Sequence, residues 1–274
     1  MNRGIFYTVV MLCLLVFATS CSNFQKLLKS NDVDKKYQAA LEYYEKGDYY
    51  RANQLLEQVM PLMTGREEAE TARFYYANTH YQQREYMLSA FQFRTFYETY
   101  PRSEKAEEAM FLQAKSLYND SPDFEQDQTS TVTAMESIQE FMVRYPNSEY
   151  AAEANTMFEA LSAKLDQKAF ENARLYYKLH NYKSAVVAFT NFLRENPSSP
   201  YSEQASYLRV DAQYRFALES VPNKQQERFM EAIDFYQGFI DQYPDSRFLR
   251  SAEQVYSNTQ SELEKIKKNN PSNS

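Results

Sequence analysis

The stretch FQFRTFYETYPRSEKAEEA (residues 91–109) decides the fold, because it returns three times without a gap. The copies are ESIQEFMVRYPNSEYAAEA (136–154), VAFTNFLRENPSSPYSEQA (187–205) and DFYQGFIDQYPDSRFLRSA (234–252). Phe93, Ile138, Phe189 and Tyr236 fill one slot, and Phe96, Phe141, Phe192 and Phe239 fill a second slot three residues on. That spacing puts both bulky side chains on one face of a helix. Pro101, Pro146, Pro197 and Pro244 end each helix, since proline disfavours helical geometry in the residue before it. Ser103, Ser148, Ser199 and Ser246 then stand where an N-cap would open the next helix. An alanine closes the frame six residues later, at Ala109, Ala154, Ala205 and Ala252.

The frame extends upstream. A small residue precedes each proline by twelve (Ser89, Ala134, Ala185, Ala232), and an aromatic precedes it by fifteen at Tyr86, Tyr182 and Phe229, with Thr131 the exception. An earlier copy, ALEYYEKGDYYRANQLLEQV (40–59), keeps Gly47, Tyr49, Ala52 and Leu56 but lacks the closing proline. The pattern resembles the tetratricopeptide repeat, a helix-turn-helix unit whose small residues let paired helices approach while aromatics fill the gap. The resemblance implies an all-α fold, a tetratricopeptide-repeat superhelix of about five units. Its minimal period is about 34 residues, and the proline positions here are farther apart, so some helices must be longer. Glu149 to Leu179 shows a nearly unbroken helical pattern. The expected organisation is a signal peptide at 1–20, a lipidated linker at 21–34, the repeat domain at 35–264 and a frayed tail at 265–274.

Composition excludes several function classes. The 274 residues hold 4 Gly and no Trp against 24 Tyr and 19 Phe. So few glycines argue against a sheet-rich or phosphate-cradling architecture, where tight turns and close backbone approach need them. The formal charge is −7, and removal of residues 1–20, whose one charged residue is Arg3, takes it to −8. An acidic chain with no basic block is a poor partner for a phosphate backbone, so no nucleic acid is expected. Catalytic chemistry finds no constellation: His80 and His180 stand alone, and no HExxH, G-x-S-x-G or phosphate loop occurs. Glu67–Glu68 and Glu107–Glu108 read as solvated helix faces. No enzyme activity, metal or cofactor is expected.

The N-terminus reads as a targeting segment. Arg3 supplies a short positive region, and Ile5 to Phe17 form an apolar core too short for a comfortable permanent span. Ala18-Thr19-Ser20-Cys21 is similar to a bacterial lipobox, in which the cysteine sulfur is lipidated and becomes the first residue of the mature chain. Ala18 departs from the leucine usual at that place. The alternative, cleavage near Ala18, would leave Cys21 as a free thiol. Cys13 lies within the apolar segment, so after cleavage no second cysteine remains to pair with Cys21.

In tetratricopeptide proteins the first helix of each pair lines the concave face. Registering the copies places Tyr37, Leu41 and Tyr44 there from the first unit, Phe74, Asn78, Tyr81 and Gln82 from the second, and Phe170, Arg174 and Tyr177 from the fourth. Tyrosines suit a peptide groove, since each offers apolar area and one hydroxyl at low entropic cost. The same aromatics at helical spacing also suit inter-repeat core. One stretch, YNDSPDFEQDQTSTVTA (118–134), breaks the frame and reads as an extended loop inside the third unit.

A lipobox, five such units, YPxS turns and an SPDFEQDQT-type insertion after S-L-Y-N-D together resemble the BamD family, the tetratricopeptide-repeat lipoproteins of the outer-membrane β-barrel assembly machinery. The resemblance covers about Phe24 to Leu263. It implies a non-enzymatic scaffold, lipid-anchored on the periplasmic face of the outer membrane. Its C-terminal repeats would bind a barrel-forming BamA-like subunit, and its N-terminal repeats the C-terminal segments of unfolded outer-membrane proteins. The alternative is another exported repeat lipoprotein acting as an adaptor in cell-wall or envelope coordination. That group usually carries a coiled coil before its repeats, and none is seen here. A glycan-binding repeat lipoprotein would want exposed tryptophans, which this chain lacks.

Overall fold

A computed structural model describes residues 23–269. Eleven α-helices follow a short helical segment at 23–28, with no strand among the described residues. They are α1 (Val33–Glu45), α2 (Tyr49–Val59), α3 (Ala69–Gln82), α4 (Tyr86–Thr99), α5 (Ala106–Asp120), α6 (Thr129–Arg144), α7 (Ala151–Lys178), α8 (Tyr182–Glu195), α9 (Ser202–Leu218), α10 (Pro222–Gln242) and α11 (Leu249–Asn269). A single 3-10 turn, Met60–Leu62, follows α2. Five consecutive pairs, α1/α2 to α9/α10, precede α11, which is the repeat count the sequence implies. The chain divides into two compact units. One holds the residues through Pro122 with Gln128–Glu159, and the other holds Asp123–Asp127 and the residues from Ala160 onward. The long helix α7 contributes its first residues to the first unit and the rest to the second.

In the first unit each helix packs chiefly on its neighbours in sequence. Ala40, Ala52, Ala72 and Ala77 are fully buried, so the helices of successive pairs approach closely at these points. Leu55, Leu56, Val59 and Met63 fill the space between α1, α2 and α3. The second unit repeats the device: Ala173, Ala185, Ala205 and Ala212 surround Phe170, Phe189 and Phe192, while Val210, Phe239, Ala252 and Val255 form a further cluster. All eight residues of the two repeated slots are core except Tyr236, which stacks 4.5 Å from Tyr256.

The closing turn has one geometry in all four copies. Tyr100, Tyr145, Asn196 and Tyr243 each donate their N–H to the carbonyl of the slot phenylalanine four residues back, at 2.8–2.9 Å. In three copies the tyrosine ring also packs on that phenylalanine, with centroids 5.4–5.9 Å apart. Asn196 substitutes a side-chain hydrogen bond, Nδ2 to the Phe192 carbonyl at 3.3 Å.

The serines do not act as N-caps, contrary to expectation. Each side-chain oxygen accepts the N–H of the residue two ahead: Lys105, Tyr150, Tyr201 and Phe248, at 3.0–3.3 Å. Each serine N–H bonds back to the carbonyl three residues earlier, and its own carbonyl accepts the N–H three residues later. The serine therefore holds a separate tight turn after the proline, and the helix starts two residues later than an N-cap reading predicts. The Ser103 hydroxyl also donates to Glu70, and that of Ser246 to Glu203 at 2.5 Å, tying the turn to the start of the preceding first helix.

The turn inside a pair follows a second shared pattern. Gly47 (φ +75°), Arg84 (φ +62°) and His180 (φ +57°) occupy the same left-handed position. The next residue donates its N–H five back in each case: Asp48 to Tyr43, Glu85 to His80 and Asn181 to Tyr176, at 2.8–3.0 Å. This is a glycine-type helix ending, filled by glycine in one pair only. Nothing crowds the place of a Cβ at Gly47, so Gly47→Ala is expected to cost about 1 kcal/mol through backbone strain alone. Arg84→Gly relieves that strain and is expected to gain roughly 0.5 kcal/mol after the added unfolded-state entropy. Chemical denaturation of the two variants reads opposite signs.

Three boundaries differ from expectation. The 21–34 segment is not a free linker where it is described: residues 23–28 are helical and Phe24 is 5% exposed, with its ring 5.6 Å from Tyr43. The tail expected from 265 is helical to Asn269, where Lys265 pairs with Glu262 at 2.8 Å. The insertion is shorter than 118–134, because α5 continues to Asp120 and α6 starts at Thr129. Within the second unit, Lys168 Nζ gathers the carbonyls of Phe124 (3.2 Å) and Gln126 (2.6 Å). The signal peptide and Cys21 lie outside the described residues.

Candidate functional site

The first helices α1, α3 and α5 of the first unit share one continuous face. The Tyr44 ring of α1 lies 4.6 Å from that of Tyr75 in α3 and 5.4 Å from Tyr49. Glu108 of α5 is close enough to act on the Tyr44 phenol electrostatically. Tyr81 of α3 accepts a hydrogen bond from Asn119 Nδ2 of α5 at 3.2 Å, and its ring meets Tyr86 at 5.8 Å. Gln82 Nε2 donates to Asn78 Oδ1 at 3.1 Å. Farther along, Lys115 of α5 pairs with Glu153 of α7 at 2.8 Å. Phenols, amides, an ammonium and carboxylates are thus gathered along these helices.

Burial pushes the Tyr44 phenol up to about 12, with Tyr49, Tyr75 and Glu108 adding in the same direction. At neutral pH it is a neutral hydroxyl, able to donate to a carbonyl or carboxylate while its ring offers apolar area.

Not every residue placed on this face by the sequence presents itself there. Tyr37 is 6% and Phe74 4% exposed, so both serve the core. The reason is a lid that the repeat builds over this position. Lys105, the residue before α5, sets its ammonium 4.8 Å over the Phe74 ring. In the next copies Tyr150 stacks on Phe111 at 4.5 Å, Tyr201 on Phe170 at 5.0 Å and Phe248 on Tyr207 at 5.1 Å. At the first unit's start burial first, then the charge of Glu68, the residue before α3, raises the pKa of the Tyr37 phenol. Leu41 is half-buried against the first core cluster. Asn78 is buried too, at 8% exposed, where its Oδ1 accepts from Gln82; Tyr44, Tyr81 and Gln82 stay on the face, and Tyr75 joins them, a residue the sequence register passed over.

The second unit carries a different arrangement on its own first helices. Asp211 of α9, 5% exposed, accepts from the Tyr177 hydroxyl of α7 and from Arg215 Nε at 2.6 Å. The Arg215 guanidinium lies 5.8 Å over the Tyr177 ring and 5.7 Å over that of Tyr182. Burial and the bond to Asp211 raise the Tyr177 pKa, so it is a fixed donor. Asp211 and Arg215 escaped the sequence reading; the signal for them is Asp and Arg at i and i+4 on one helix. Arg174 pairs instead with Glu171 at 2.5 Å, and Phe170 is buried.

His80 is buried, with Nδ1 2.6 Å from Glu85 Oε2, and His180 sits in a left-handed turn stacked on Tyr182. Among the described residues no group of His, Cys, Asp and Glu has the geometry of a metal site, and no helix is long and apolar enough to cross a membrane.

Comparison with known proteins places this helical chain in a family. The family described as outer membrane lipoprotein, YfiO, matches residues 29–177 and 161–266. Two relatives are each named outer membrane protein assembly factor BamD. The one from Caulobacter vibrioides is 24% identical over 139 residues, or 51% of this chain and 46% of that protein, so the match spans about half its length. The one from Rickettsia prowazekii is 20% identical over 257 residues, 92% of this chain and 98% of that protein. Among solved structures, the TPR2AB-domain:pHSP90 complex of yeast Sti1 superposes with a TM-score of 0.41 at 12% identity, covering 83% of this chain and 98% of that one. The chain belongs to the YfiO family of outer membrane lipoproteins.

Proposed function

We propose that this protein is a non-enzymatic scaffold of outer-membrane protein assembly, held by a lipid on Cys21 and facing the periplasm. Its N-terminal pairs receive the C-terminal segment of unfolded barrel proteins, and its C-terminal pairs bind a BamA-like barrel-forming subunit. The role in assembly is supported by the family match and by the names of both relatives. The observation that carries the substrate assignment is the unbroken face of Tyr44, Tyr75, Tyr81 and Gln82 next to Asn119 and Lys115. Rigid aromatic rings take alternate side chains of an extended peptide, and hydroxyl, amide and ammonium groups take its backbone and terminal carboxylate.

Tyr44→Ala with Tyr81→Ala tests the assignment. Two lost aromatic contacts, each an anchor of the kind that costs about 2 kcal/mol on truncation, weaken binding of barrel C-terminal peptides at least tenfold in a titration. Helicity by circular dichroism stays unchanged, since neither ring is fully buried. Unchanged peptide affinity removes this face from substrate binding. A detergent pull-down of the tagged full chain tests the partner: a barrel protein with repeated periplasmic domains supports the scaffold, and cell-wall synthases favour the adaptor.

A further inference from the structure

We propose that the surface formed by residues 23–36 is a membrane-docking face that lies against anionic phospholipid headgroups. The proposal rests on the anchoring of Cys21 given above and adds to it which side of the first pair meets the bilayer.

The first observation is the shortness of the tether. Phe24 is already core, seated on Tyr43 with the Arg51 guanidinium 5.4 Å over its ring. A residue spans at most about 3.5 Å, so the three-residue tether from Cys21 to Phe24 can reach no farther than roughly 10 Å. A lipid on that cysteine holds the helical segment at 23–28 at headgroup level.

The second is charge. Within 23–36 stand Lys26, Lys29, Lys35 and Lys36 against Asp32 and Asp34, a local excess of positive charge in a chain of formal charge −7. Lys36 is engaged by the Leu28 carbonyl (3.1 Å) and Gln58 (2.7 Å). Lys26, Lys29 and Lys35 are exposed. The neighbouring carboxylates are occupied elsewhere: Asp34 by Arg66, Glu42 by Lys46 at 3.5 Å and Asp48 by Arg51 at 2.9 Å. Asp32 accepts the Lys35 backbone N–H at 2.9 Å.

The third is shape. Lys26 and Lys35, from the 23–28 segment and from α1, line one open recess of about 350 Å³ with Asn23, Ser30 and the half-buried Leu27. Two ammoniums, a hydroxyl and an amide around one apolar side chain match a phosphodiester above its glycerol ester. On the other flank Tyr50, 62% exposed, lines a recess with Phe24 and Gln25, and an amphipathic ring there suits the membrane interface.

The test uses the full-length processed protein mixed with vesicles of phosphatidylcholine alone or with added phosphatidylglycerol. Three lysines near an anionic surface multiply partition by about 100 at low salt, and high salt shortens the screening length and abolishes the gain. Flotation with phosphatidylcholine alone reads the lipid anchor. Amine labelling of the anchored protein then reads the patch: Lys26, Lys29 and Lys35 become protected on phosphatidylglycerol vesicles at low salt and labelled again at high salt, while exposed Lys183 does not change. Lys26→Gln with Lys29→Gln and Lys35→Gln abolishes the charge dependence and keeps flotation. Free inorganic phosphate gives no protection on phosphatidylcholine vesicles. Equal labelling on both vesicle types overturns the proposal. If the protein does not float on phosphatidylcholine, the anchor reading fails; salt-sensitive flotation on phosphatidylglycerol then still supports the docking face, and flotation on neither overturns it.

Discussion

Raising the pH from 10 to 12 is expected to unfold this protein. Ten tyrosines, at positions 37, 44, 76, 97, 150, 177, 207, 214, 236 and 243, have pKa values raised, and burial is the leading cause for every one. A phenol whose folded pKa is raised contributes stability that is complete below its unfolded value near 10. That stability is lost as pH climbs through the folded value, because the unfolded chain sheds the proton first. Tyr44, pushed up to about 12, accounts for about 2 kcal/mol of this loss after discounting for its partial exposure. Nine further residues act in the same direction against a total stability of roughly 5–15 kcal/mol. Circular dichroism followed together with tyrosinate absorbance checks this: helicity falls as the phenols ionise, and the two changes coincide. Tyr44→Phe moves the midpoint upward, and Tyr50→Phe, at an exposed ring, leaves it in place. Full ionisation near pH 10 with helicity intact would contradict the burial account.

Phe141→Ala is expected to cost about 3–5 kcal/mol, the range for emptying a fully buried phenylalanine site. Its ring lies 5.5 Å from Phe111 of α5 and 5.7 Å from Tyr145, so the substitution undoes both the pairing of α5 with α6 and the closing turn. Phe91→Ala is the matched control, since that ring is 63% exposed and its loss stays within about 0.5 kcal/mol. Urea unfolding of the two variants separates a repeat-frame residue from a nearby residue of the same type. Equal losses would mean that the frame does not mark the core.

The frame was legible because each slot reports one physical need four times. Apolar spacing gave the helices, proline gave their ends, and the small residues gave the points of closest approach. What stayed hidden was set by neighbours distant in sequence. Phe74 shares a helix stripe with Asn78 and Tyr81, but nothing local reveals that Lys105, thirty-one residues on, covers it. Ser103 has the composition of an N-cap, and only the intervening turn separates it from α5. Asp211 drew no reading from the sequence, because the Tyr177 hydroxyl that it accepts from belongs to another pair. The 23–28 segment read as a tether because Asn23, Gln25 and Lys26 turn the chain polar there, although Phe24, Leu27 and Leu28 pack inward.

The packing of each helix on its sequence neighbours, described for the first unit, also bears on speed and on force. Contacts between nearby residues close short loops, so chains of this kind fold fast for their length. Pulled from one end, the first unit would surrender its pairs one after another, each with a similar extension, where a domain with distant contacts gives way in one event. The first unit would then yield in small steps and recover each without refolding the whole.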